Sequence, residues 1–295
     1  MKNNKLTIKD SAISFISSFL ICHISVLLIS AIILFIGSII NPNNIENFSK
    51  SCVGNLIITS TLYITMFLIF KYFNKGKENK LFAKPTTNKI ITYICFAIIS
   101  FFALYPIVNS FDFLVSNFGF KLNEPTFKLS LGNYFICLIP MVILPAICEE
   151  LLFRGLIFKG LKQHGKAFAL ITTSVMFALY HMSLQQTIYP LLFGLVLTLV
   201  MFKENNILYC MIMHLVNNLL ALTMMFLDVS LFVNKLWYYI LAIILLLTFV
   251  ILLIYFIKKQ KNVENTEKIS KNNKILLFIV LIIMFILWLI FNIYR

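Results

Sequence analysis

Two adjacent glutamates, Glu149 and Glu150, stand just before Arg154 inside the apolar run Leu131–Phe158. Charge inside such a run is costly, so ionisable groups kept there point to function. On a helix, residues four apart lie about 40° apart and adjacent residues about 100° apart. Glu150 and Arg154 therefore share a face and can pair, with the glutamate on the favourable N-terminal side. Glu149 points elsewhere, about 140° from Arg154, and has no partner on its own helix. A carboxyl group without a countercharge in an apolar setting is the kind of group used as a general base or acid.

Two histidines supply the rest of the chemistry. Phe177 and His181 are four apart in "FALYH", and His214 and Asn218 are four apart in "HLVNN". An imidazole and a carboxamide one turn apart could hold a metal or donate two hydrogen bonds to a developing oxyanion. Asn217 turns about 100° away, leaving Asn218 as the asparagine of that face. Glu149 precedes Lys159 by about 15 Å of helical rise, and His214 follows Lys203 by about 16 Å. His181 follows Lys166 by about 22 Å. The expected site lies in the inner half of a bilayer. Pro145, with Pro140 before it, is expected to kink the helix beside the acidic pair, where irregular backbone can line a polar cavity. Gly155 and Gly194 are candidates for close helix approach.

These residues need apolar helices to hold them. Hydrophobic residues make up 60% of the 295 and charged residues 12%, against ~45–50% and ~25% in soluble domains. Nine apolar runs follow: Ser11–Ile40, Gly54–Phe73, Ile90–Phe111, Leu131–Phe158, Ala167–Leu184, Thr187–Phe202, Ile207–Leu227, Leu236–Ile257 and Ile275–Tyr294. About 20 apolar residues span a bilayer as a helix. The fifth and sixth runs are separated only by a short polar link, so eight or nine spanning helices are expected. The first run is too long for a signal-peptide core and reads as a retained helix. The fold class is thus an all-α polytopic membrane protein, a single integral domain over residues 1–295. A central four-helix bundle at about 131–227 holds nearly all the intramembrane polar groups. Residues 1–130 and 228–295 read as flanking scaffold, with a basic, flexible loop at Lys258–Lys274.

The net charge of +14 is explained by topology. With the N-terminus inside, 19 basic residues fall in inner segments; five, Lys50, Lys121, Lys128, Lys235 and Arg295, fall in outer ones. That asymmetry is the positive-inside signature, and with no basic patch interleaved with exposed aromatics it removes the case for nucleic acid. The six cysteines form no C-x-x-C pair, so neither a disulfide framework nor a zinc ribbon is indicated.

Plain readings compete for single residues. A lone polar group in such helices also serves as interhelical glue, and that suffices for His23. His164 reads as a solvated boundary residue, Asp112, Asp228 and Arg295 as interfacial residues, and Phe177 as packing beside His181. The ensemble of acidic pair, two partnered histidines and proline in four consecutive helices is harder to explain as glue.

At these residues the sequence resembles the CPBP family, which includes CAAX-type prenyl-protein endopeptidases, bacteriocin-processing proteins and Abi-type membrane proteins. "EELLFR" (Glu149–Arg154) fits EExxxR, "FALYH" fits FxxxH and "HLVNN" fits HxxxN, in that order on consecutive helices. The resemblance implies that Glu149 and His181 activate water and that His214 and Asn218 stabilise the oxyanion. Glu150, Arg154, Phe177 and Pro145 would support them. The implied protein is an intramembrane endopeptidase cutting a membrane-associated peptide or protein, with membrane lipids as its surroundings. Relatives labelled metallopeptidases make zinc a candidate, with Glu149, His181 and His214 as ligands; H-E-x-x-H is absent, and no organic cofactor is expected. The Lys-, Asn- and Ile-heavy composition suits a bacterial cell membrane. Two alternatives remain open at this level: a non-catalytic bacteriocin self-immunity or peptide-binding protein, and a proton-coupled transporter.

Overall fold

The structure, a computed structural model, describes residues 5–40, 52–77, 80–119, 130–227, 236–258 and 267–293. The described residues form nine helices: α1 Ile8–Ile40, α2 Cys52–Asn74, α3 Thr87–Asn117, α4 Leu131–His164, α5 Lys166–Tyr180, α6 Ile188–Glu204, α7 Ile207–Leu227, α8 Leu236–Lys258 and α9 Lys271–Ile293. No strand occurs among them. A helix satisfies its backbone groups within one segment, which an apolar surrounding demands. Isolated hydroxyls obey the same demand by bonding back to their own helix, as Ser100 does to Phe96 O at 2.6 Å.

Each apolar run corresponds to a helix, with shifted ends. Six helices, α1, α2, α3, α4, α7 and α9, are long and apolar enough to cross a membrane. α8, at 23 almost wholly apolar residues, has the length of a crossing as well. The helices that fall short of that length are α5 and α6, which have 15 and 17 residues. They rise only about 22 and 25 Å, less than the ~30 Å apolar core of a bilayer. They pack on each other as a short hairpin inside the bundle. The polar segments are also shorter than the sequence suggested, since α3 continues to Asn117 and α9 starts at Lys271. Lys50, Lys121, Lys128, Asp228, Lys235 and Arg295 lie outside the described residues, as does the middle of the Lys258–Lys274 loop.

Helix α4 is not uniform. It widens to π-helix at Ile139–Ile143 and again at Leu151–Ile157. Leu144 N donates to Ile139 O, and Phe158 N to Phe153 O, five residues back in each case. Pro140 lies in the first wide stretch and Pro145 just beyond it. A proline cannot donate, and its ring crowds the carbonyl four residues back; widening the turn relieves both. The seven-residue segment Leu144–Glu150, which carries the acidic pair, is thus set between two π stretches, a feature frequent at functional sites.

The bundle α4–α7 forms the centre, and α1 and α2 pack along α4. Ser11 Oγ donates to Ile157 O at 2.9 Å, and a Cβ on Gly160 would overlap Ser11 Oγ and the Thr7 carbonyl. At one end, lysine contacts tie segments together. Lys77 pairs with Asp10 at 3.1 Å, Lys89 with Glu204 at 2.6 Å, and Lys159 Nζ donates to Lys80 O at 3.1 Å. His164, expected to be merely solvated, meets Glu267 O through Nδ1 at 2.8 Å and anchors the segment leading into α9.

Candidate active site

Glu150 and Arg154 are wholly buried and paired, Arg154 Nη1 donating to Glu150 Oε1 at 2.8 Å. Burying two charges is offset only by good geometry and further hydrogen bonds; Arg154 has these at both Nη atoms, while its Nε and Glu150 Oε2 are buried without a hydrogen bond among the described residues. Nη2 donates to Gly194 O at 3.1 Å, and the guanidinium lies 4.6 Å from the centre of the Phe177 ring, within cation–π range. Gly194 allows a close approach here. A Cβ on it would sit 3.2 Å from Phe177 Cδ1 and 3.5 Å from Ser174. α6 can thus lie close enough to α5 for its carbonyl to reach Arg154.

Glu149 departs from this pair, as the helix angles predict. Its side chain leaves α4 toward α2, where Tyr63 Oη donates to Glu149 Oε1 at 3.1 Å. Its other oxygen, Oε2, is buried with no hydrogen bond among the described residues and lies 3.9 Å from His214 Nε2. His214 Nδ1 is 2.8 Å from Glu150 Oε1. The two carboxylates therefore converge on His214 from opposite ring nitrogens, which the angular argument along α4 alone does not reveal. An ionised carboxylate only accepts, so Nδ1 carries the proton shared with Glu150, and Nε2 is the nitrogen turned to Glu149.

His181 sits at the end of α5, with Nδ1 2.8 Å from Phe177 O. A carbonyl only accepts, so Nδ1 is the donor and Nε2 holds the free lone pair. The next residue, Met182, has φ 49°, in the left-handed region, and turns the chain sharply away. That turn is held by α9: Asn292 Oδ1 accepts from Leu184 N at 2.6 Å, and Trp288 Nε1 donates to Thr187 Oγ1 at 3.1 Å. No hydrogen bond joins His181 to Glu149 among the described residues. Their link is Phe177, whose ring lies edge-on to His181 at 5.0 Å and to His214 at 6.0 Å.

Asn218 is half-buried, and its Oδ1 accepts from Asn217 Nδ2 at 3.2 Å. Asn217 is buried and accepts in turn from the Tyr189 hydroxyl on α6. With its oxygen engaged, Asn218 presents its N–H groups. The arrangement thus brings Glu149, Glu150, Arg154 and His214 into direct contact, with His181 and Asn218 one step away. Pro145 acts through the backbone. Reasoning from the motifs missed Tyr63, Tyr189 and Asn217. Asn217 was visible as the first asparagine of "NN", whereas a tyrosine in an apolar helix carries no signal of its target.

Among the described residues no three His, Cys, Asp or Glu side chains form a group able to hold a metal ion. Glu149 and His214 approach each other, but His181 does not join them within a ligand set. The residues as placed do not fit a zinc site. Cys22, Cys137, Cys148 and Cys210 are buried and Cys95 is exposed.

Comparisons with curated proteins and with solved structures return no match. Residues 131–220 match the family model described as type II CAAX prenyl endopeptidase Rce1-like. The match begins at the first residue of α4 and ends just past Asn218, so it holds all three motifs and leaves α1, α2, α3, α8 and α9 outside. Over these residues the chain is similar to the Rce1-like family, a likeness consistent with a membrane protease of the CPBP family.

Proposed function

We propose that the protein is an intramembrane endopeptidase that hydrolyses a peptide bond of a membrane-associated protein or peptide by carboxylate-activated water. The observation that carries this reading is the separation of roles within the acidic pair. Glu150 is neutralised by Arg154 and held by His214, both through Oε1, whereas Glu149 has no cation beside it; each glutamate keeps a buried, unbonded Oε2 among the described residues, and that of Glu149 lies 3.9 Å from His214 Nε2. That oxygen is the general base. It takes a proton from a water molecule, with His181 Nε2 as the second acceptor orienting the same water. The water oxygen bonds to the scissile carbonyl carbon, and the carbonyl electron pair moves onto oxygen. Asn218 Nδ2 and a protonated His214 Nε2 donate to that oxyanion, and Glu150 stabilises the imidazolium through Nδ1. Collapse of the intermediate breaks the C–N bond, and the proton on Glu149 passes to the leaving amine. Proton transfer typically contributes about 10²–10⁴ in rate, and each oxyanion donor about 10²–10³.

The lysine-rich end is assigned to the cytoplasmic side on the positive-inside rule. The N-terminus is then cytoplasmic and the site lies in the inner half of the membrane. Purified protein in liposomes, offered membrane-associated peptides, tests the chemistry. Wild type and Cys148→Ser are expected to cleave at similar rates, whereas His214→Ala and Asn218→Ala each lose about 10²–10³-fold. Loss of cleavage in Cys148→Ser with retention in both of the others would point to a covalent cysteine route and reject this mechanism.

A further inference from the structure

The hydrogen bond from Tyr63 to Glu149 comes from outside the stretch that matches the protease family. Helix α2 belongs to the flanking part of the chain, which composition alone assigns to scaffold. Yet its Tyr63 hydroxyl, 3.1 Å from Oε1, makes the one hydrogen bond that Glu149 accepts among the described residues. Glu149 is 7% exposed and its Oε2 is fully enclosed. A carboxylate on a two-methylene stem has several rotamers, and an apolar pocket does not choose among them by polarity. A single donor on Oε1 does choose: it fixes the plane of the carboxylate and turns Oε2 toward His214 Nε2. Arg154, the nearest cation on the same helix, is committed to Glu150, Gly194 and Phe177 and cannot serve this purpose.

We infer that Tyr63 is the positioning residue for Glu149, so that the site is completed by a helix outside the matched core: the Tyr63 hydroxyl holds Oε1 and thereby aims Oε2 at the reacting water. The catalytic half of this statement rests on the endopeptidase reading; the orienting half does not. Tyr63→Phe removes the hydroxyl and keeps the ring, so packing between α2 and α4 is conserved.

Two measurements separate the possibilities. The infrared band of the Glu149 carboxyl group is assigned by its disappearance in Glu149→Gln and then followed in Tyr63→Phe. The band is expected to shift. In the cleavage assay, kcat of Tyr63→Phe is expected to fall by about 10- to 100-fold, the scale of a displaced catalytic group, with KM unchanged. If Tyr63→Phe does not fold, 3,5-difluorotyrosine at position 63 keeps ring and hydroxyl, strengthens the donor and is expected to move the same band. An unmoved band overturns the inference, even if kcat or thermal stability drops, because that is the outcome of a merely structural tyrosine. A moved band with unchanged kcat also overturns it. A wild-type protein that cleaves nothing rejects the endopeptidase reading instead, and the band alone then decides whether Tyr63 orients Glu149.

Discussion

Each charged residue of the site has an assignable occupation. Arg154 is the most heavily engaged, with Glu150, Gly194 O and the Phe177 ring all within contact. Arg154→Leu leaves Glu150 buried without its cation, and breaking a buried pair in this way costs about 3–5 kcal/mol. Chemical unfolding in detergent micelles should show that loss. The replacement of both partners, Glu150→Leu with Arg154→Leu, should recover much of the stability and none of the activity, because His214 Nδ1 also loses its acceptor. The pairing of Glu150 with Arg154 was legible from four-residue spacing alone. The bond from His214 to Glu150 was not, because it joins α4 to α7 across 64 positions, and no local period encodes that register. Phe177 shows the same limit: spacing identified it as a neighbour of His181, and only packing makes it the surface on which Arg154 rests.

At the scale of elements, π-helical widening and glycine contacts decide where the polar groups go. The prolines of α4 were readable as a source of irregularity beside the first wide stretch, Ile139–Ile143; the second, Leu151–Ile157, holds no proline and had no such signal. Gly194 was visible as a candidate for close approach, and Gly160 was passed over although its surroundings are tighter. Sequence alone could not rank them, because the difference lies in what faces each glycine. At Gly160 it is the backbone of Thr7 at the start of α1, which cannot swing aside as a side chain can. Gly160→Ala should therefore part α1 from α4 and cost about 1–3 kcal/mol, the usual range for overpacking. A lowered melting temperature, together with faster hydrogen exchange at residues 8–15, is the expected signature. The short hairpin of α5 and α6 was hidden for a related reason. Apolar composition marks both as membrane-like, yet their lengths fit burial among other helices better than a full crossing.

For the whole molecule, the helical class, the number of helices and the confinement of the polar groups to the middle of the chain were all readable from hydropathy. The division into a working core and inert flanks was too simple, since α2 reaches Glu149 through Tyr63 and α9 holds the turn after His181. The lysine asymmetry predicts sidedness. A Lys75→Cys variant, exposed beside the end of α2, should react with a membrane-impermeant maleimide from the cytoplasmic face and stay unlabelled from the other. Reversed labelling would invert the assigned topology. The central claim, that Glu149 is the base of a water-mediated peptide hydrolysis, is tested most directly by comparing wild type with Glu149→Gln. Both proteins are purified into liposomes, and peptide products are counted by mass spectrometry. The substitution keeps shape and removes the ionisable oxygen, so the rate should fall by about 10²–10⁴-fold while the melting temperature holds; cleavage by Glu149→Gln at the wild-type rate would contradict the account.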